Sequence, residues 1–150
     1  MGGLGVVFKI SGEETGGLFS VVEHPIEAGR LVPPHMHTKE DEFSYVLEGE
    51  IGARIGGQDF TAGAGSYIFK PRGLPHTFWN AGPKAARLIE LITPAGFEKF
   101  FEEVAKLISA GAPAGGKQHM ELNSPYGQTS DGMEWIPELT AKYGLKLIGR

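Results

Sequence analysis

The chain has 150 residues, 41% of them hydrophobic, with a formal charge of −4 and no cysteine; this is the length of one domain able to bury a core without disulfides, and imidazole and carboxylate are left as its strong metal donors. No basic excess is available to release counterions, and no apolar run approaches the roughly 18 residues of a membrane span, so neither a nucleic-acid nor a membrane partner is expected. The N-terminus carries no charged-then-apolar leader, and a soluble, cytoplasmic protein is the expectation.

From Gly5 to about Thr93 the sequence is a series of short apolar or alternating runs, GVVFKI, GLFSVVEH, EFSYVL, IGARI, SYIF and ARLIELIT, each bounded by Gly, Pro, Asn or Asp. That rhythm predicts an all-β sandwich or barrel, in which the 23 glycines and 10 prolines punctuate turns. Gly56 and Gly57 fit a two-residue hairpin loop that needs positive φ, and Gly49 fits another tight turn.

Within these runs lie the residues that carry chemistry. His35 and His37 have equal parity on a predicted strand and so face one side, with Pro33 and Pro34 stiffening the approach. Glu42 opens the next run after a polar turn, Thr38 to Asp41, and an antiparallel return brings its carboxylate beside both imidazoles. Alternation from Glu42 puts Ser44 and Val46 on the inner face and Phe43, Tyr45 and Leu47 on the outer one. Ser44 is small enough to leave room for a ligand and is taken as a substrate-binding position. His76 begins a further strand, with Phe78 and Asn80 on its side, and Phe78 is the first candidate for an aromatic wall. Lys70 and Arg72 are weaker pocket candidates, while His24 and His119 fall in no ligand pattern and read as surface or satisfied core residues. Three imidazoles and one carboxylate from two separated segments are the donor set of a first-row divalent metal, and unpaired burial of such groups would be costly.

After Pro94 the period changes. Phe97, Phe100, Phe101, Val104, Leu107 and Ile108 fall on one helical face, with Thr93 as the expected N-cap, Pro94 at the first helical position and Gly111 at the end. Residues 110 to 133 read as a loop. A second helix is predicted from Pro137 to Tyr143, stopping at Gly144, with Trp135, Ile136, Leu139 and Tyr143 as its apolar stripe, and Leu145 to Ile148 could add a strand. The organisation expected is a single barrel domain with its flanking helix over 1–110, and a tail over 111–150 that packs on the barrel or on a dimer partner.

At these positions the sequence resembles the cupin superfamily. Gly29, His35, His37, Glu42 and Gly49 match the spacing of its first motif, and Gly65, Pro71, Gly73, His76 and Asn80 that of its second. The resemblance covers roughly residues 16 to 92, and the Phe-rich helix that follows is similar to that of small bacterial cupins, some of them quercetin-dioxygenase-like. It implies a jelly-roll-like antiparallel β-barrel with a C-terminal amphipathic helix and an extended tail. It also implies one divalent transition metal ion per chain (Fe, Mn, Ni, Cu or Zn) held by His35, His37, Glu42 and His76, a small-molecule ligand in the barrel, and a homodimer. The function expected from it is a dioxygenase-like oxidoreductase in which Glu42 is both ligand and proton acceptor. Two alternatives stay open: a metal-dependent isomerase or lyase, for which no Lys, Tyr or second carboxylate is clearly placed as the base, and a non-catalytic small-molecule-binding module. No helix-turn-helix accompanies the barrel, which counts against a direct transcription factor.

Overall fold

The computed structural model describes residues 4–109 and 136–148. Among them, ten strands form two five-stranded antiparallel sheets. One sheet runs β1 (Val7–Ile10), β2 (Ser20–Ile26), β9 (Ala86–Thr93), β4 (Asp41–Glu48), β7 (Tyr67–Lys70); the other runs β10 (Leu145–Leu147), β3 (Leu31–His37), β8 (His76–Asn80), β5 (Glu50–Ile55), β6 (Gln58–Gly63). Inward residues alternate as the sequence predicts: on β4, Glu42, Ser44 and Val46 are buried while Phe43 is exposed, and on β9 Ala86, Leu88, Glu90 and Ile92 are buried. This is the all-β, jelly-roll-like architecture expected from the sequence. Gly56 and Gly57 both adopt positive φ between β5 and β6, the two-residue turn expected of them.

Two apolar clusters hold the sheets together. Ile26, Val46, Ile68 and Leu88 of the first sheet meet Ile51, Ala53 and Phe78 of the second. A second cluster joins Val22 and Ile92 to Phe97, just before helix α1 (Glu98–Ser109), to Phe100 and Val104 of that helix and to Leu139 of helix α2 (Ile136–Tyr143). Each buried side chain of this size contributes about 1.5–3 kcal/mol. None of the described helices is long and apolar enough to cross a membrane.

The start of α1 differs from the expectation. Thr93 remains in β9, paired with Asp41, and its Oγ1 donates to the Leu18 carbonyl at 2.7 Å, so it is not the N-cap, and the helix begins at Glu98. The sheet ladder takes Thr93 before the helix can. Glu98 does the work of a cap from inside the first turn: its carboxylate accepts the Gly96 N–H at 2.6 Å, the Gly12 N–H at 3.1 Å and the Ser20 hydroxyl at 2.9 Å.

Helix α2 opens one residue before the predicted Pro137 and ends before Gly144 (φ 69), where a Cβ would lie 2.3 Å from Thr38 Oγ1. The chain then pairs β10 with β3, setting Leu145 opposite His37 and Leu147 opposite His35. The tail segment therefore seats on its own barrel, along the strand that carries two of the predicted metal ligands. The loop expected over 110–133, the helix end at Gly111, His119 and Trp135, and the side chains of Leu107, Ile108 and Ile136, lie outside the described residues.

Replacing Leu139 by Ala removes the α2 side chain that anchors this tail, and should cost about 2–3 kcal/mol in denaturant unfolding. A cost within about 0.5 kcal/mol, the range of ordinary surface changes, would show that the tail does not pack on this core.

Candidate metal centre

Strand register assembles the four predicted ligands. His35 on β3 sits directly opposite His76 on β8, with the ladder irregular just before it, between Val32 and His35, where Pro33 and Pro34 have no N–H to offer. His37 follows two residues on, and Glu42 enters from β4 of the opposite sheet. All four are buried, and one ligand atom from each lies within 4.8 Å of the others. His37 Nε2 and His76 Nε2 stand 3.4 Å and 3.5 Å from the two Glu42 oxygens.

The tautomers of the three rings are set from behind. Nδ1 of His35 faces the Pro33 carbonyl at 2.6 Å, Nδ1 of His76 the Leu74 carbonyl at 3.3 Å, and Nδ1 of His37 the Glu40 carboxylate at 2.6 Å. Each of these partners only accepts, so each Nδ1 carries a proton, and Nε2 is the nitrogen that presents a lone pair to the centre when the ring is neutral. Nε2 of His76 is fully buried with no hydrogen-bond partner. Buried acceptors aimed at one another are unfavourable unless a cation lies between them. The residues therefore fit a divalent ion, and imidazole and carboxylate donors suit Fe, Mn, Ni, Cu and Zn alike. Glu40, 4% exposed, orients His37 as outer carboxylates do behind ligating imidazoles. In the sequence it falls within the polar turn Thr38 to Asp41 and has no assigned role.

Burial, reinforced by the charges of His76 and His37, holds His35 well below the ordinary imidazole value, so it is neutral and ready to ligate. At His37 burial pushes downward, but the Glu42 and Glu40 carboxylates outweigh it and the pKa rises. At Glu42 burial pushes upward, but His37, Lys70 and His76 outweigh it and hold the carboxyl well below its usual range.

Lys70, a weaker pocket candidate in the sequence, lines the cavity beside Glu42. It pairs with Glu42 across β7 and β4, is 2% exposed, and places Nζ 3.3 Å from Glu42 and 2.5 Å from Glu90. Burial alone would lower its pKa, but the two carboxylates more than offset this and keep it an ammonium. Its charge also lies 4.8 Å from the centre of the Phe78 ring. Lys70 and a second carboxylate, Glu90, thus stand beside the candidate ligand Glu42 and at the cavity wall, positions that depend on cross-strand register.

Beside the ligands lies a cavity of about 100 Å³. Phe78 of β8, Phe97, Phe100 and Phe101 at α1, and Leu145 and Leu147 of β10 make its apolar wall, while His24, Lys70 and Glu90 give it a polar side. Phe78 takes the position expected of it. Ser44 does not reach the cavity: its hydroxyl is turned onto Glu90, donating at 2.7 Å, and Glu90 stands at the wall instead. Arg72 also points away, exposed and paired with Asp41, and Asn80 is held by the Ile26 and Lys84 carbonyls. His24, read as an ordinary core histidine, is buried at the cavity wall.

Residues 23–92 match the family model of the cupin domain. The transcriptional regulator PuuR of Escherichia coli is 32% identical over 99 residues, covering 65% of this chain and 53% of that protein. An RmlC-like cupin of Shewanella frigidimarina superposes with a TM-score of 0.55 at 25% identity, covering 63% of this chain and 79% of the other. A structure from a study of the mechanism of oxalate oxidase gives 0.53 at 26% identity, covering 63% and 53%. The chain spans about half the length of the curated relatives it matches.

Two predictions test the centre. His37, with its raised pKa, holds a proton above the ordinary imidazole value of 6.5, and the metal must displace it. Glu42, lowered, remains ionised through that range, and His35, also lowered, is neutral there. Metal affinity should therefore fall as pH drops through about 7 to 6, and metal content unchanged from about pH 8 to 5 would contradict the assignment. At metal concentrations about 100 times Kd the wild type should gain about 2.7 kcal/mol of stability. His76→Ala should lose most of that gain together with bound metal, and a variant with full occupancy and an unshifted Tm would remove His76 from the ligand set.

Proposed function

We propose that this chain, whose residues 23–92 match the cupin domain model, binds one divalent transition metal on His35, His37, Glu42 and His76 and acts as a dioxygenase-like oxidoreductase on a small organic molecule held in the adjoining cavity. The observation that carries the reading is the convergence of three imidazoles and an ionised carboxylate on one buried point, beside an aromatic-walled space. Likeness to the oxalate oxidase structure supports the oxidoreductase class. When bound, an ion of this donor set supplies Lewis acidity and, for Fe, Mn, Ni or Cu, redox chemistry with dioxygen.

The chain's own residues have separable tasks. Glu42 stays anionic beside Lys70 and His37, as a ligand must, and that same stabilisation makes it a weak proton acceptor, so its ligand role comes first. Lys70, fixed between Glu42 and Glu90, puts a permanent positive charge at the cavity wall, where it favours a substrate oxygen that becomes anionic. The phenylalanines exclude water from that oxygen. A volume of about 100 Å³ supports a small substrate, a short chain or at most one ring, over a multi-ring flavonol.

The isomerase or lyase alternative needs a base, and Lys70, kept protonated by its two carboxylates, does not serve as one. The similarity to PuuR favours a second reading, a barrel that senses a small molecule without transforming it. A homodimer and a cytoplasmic location are part of the proposal.

Oxygen-electrode assays separate the readings. Protein reconstituted with Fe(II), Mn, Ni or Cu should consume dioxygen with a small catechol or β-diketone. Turnover that persists anaerobically would assign it to the isomerases, and binding without turnover would favour the sensing module.

A further inference from the structure

The polar side of the cavity contains a group that the metal site does not use. His24, on β2, is 3% exposed, lines the cavity, and packs its ring edge-on against Phe101 at 5.4 Å. Its Nδ1 lies 2.9 Å from the Gly5 carbonyl. A carbonyl cannot donate, so Nδ1 is the protonated nitrogen and Nε2 carries the lone pair. Nε2 has no partner among the described residues. The charged groups around His24 are already committed: Glu90 accepts from Ser44 and is ion-paired with Lys70, which is shared with Glu42. A buried acceptor left open at the wall of an aromatic cavity asks for a donor from whatever enters.

We infer that His24 is a specificity-determining contact of the bound molecule: its Nε2 accepts a hydrogen bond from the hydroxyl of a small, single-ring phenol whose ring lies against the phenylalanine wall of the cavity. The backbone carbonyl of Gly5 acts through His24 by fixing the tautomer. Burial lowers the His24 pKa, which keeps the ring neutral and therefore an acceptor. The inference rests on reading this cavity as the ligand site. Failure of metal uptake or of dioxygen consumption would refute the metal chemistry and leave the binding test below unaffected.

The probes are phenol and its methyl ether anisole, which keeps the ring and the oxygen but has no proton to give. Wild-type protein titrated with each gives a phenol-to-anisole affinity ratio. His24→Asn retains an amide N–H at the position of Nδ1 for the Gly5 carbonyl and removes the group at Nε2, so the ratio should fall about five- to tenfold, the worth of one neutral hydrogen bond. His24→Gln, whose longer amide reaches the position of Nε2, should restore part of it. In the wild type the Nε2 resonance of His24 should shift with phenol and stay in place with anisole, a readout that requires no variant to fold. The inference is overturned if wild-type protein binds neither probe, if the ratio is the same in all three proteins, or if anisole moves Nε2 as phenol does.

Discussion

Three imidazole nitrogens and one carboxylate meet within 4.8 Å inside the barrel, where each repels the others unless positive charge lies between them. Much of the surrounding structure serves to hold them there. The Pro33 and Leu74 carbonyls and the Glu40 carboxylate take the Nδ1 protons and so turn all three lone pairs inward. Because the histidines lie on β3 and β8 of one sheet and Glu42 on β4 of the other, an ion at this point would also tie the two sheets together. Its binding energy would then add to folding.

The same requirement explains the charges behind the centre. Glu42 and Glu90 are both buried, and Lys70 between them is the cation that makes this possible. Removing one partner of such a buried pair typically costs about 3–5 kcal/mol, because the other is left uncompensated. Lys70 thus joins stability to chemistry: it keeps Glu42 ionised as a ligand and sets a fixed charge at the wall of the cavity. Helix α1 and β10 close that cavity with phenylalanine and leucine, so the metal ligands, the cation and the apolar wall come from separate stretches of chain that meet only in the folded barrel.

The four residues of the candidate metal centre were legible as a cluster in the sequence because strands have a period of two and the spacing is local. His35 with His37, and Glu42 with Val46, share faces by parity alone, and the glycine and proline punctuation located the turns between them. What stayed hidden depends on register between strands far apart in sequence. Lys70 faces Glu42, and Ser44 faces Glu90, through cross-strand pairs that no local pattern announces. Ser44 was placed correctly on the inner face, yet its hydroxyl is spent on Glu90. Thr93 has the right chemistry for an N-cap and is held in β9 instead. His24 gave no signal because a lone histidine is usually structural, and its place at the cavity follows only from the packing of β2 against β9 and of Phe101 against its ring.

The central claim is that His35, His37, Glu42 and His76 together bind one metal. Metal-edge X-ray absorption on protein loaded with cobalt or nickel tests it most directly. The account predicts one ion per chain with only nitrogen and oxygen neighbours, the multiple-scattering signature of about three imidazoles, and loss of one of these in His76→Ala. An ion coordinated without imidazole, or a spectrum unchanged by that substitution, would contradict it.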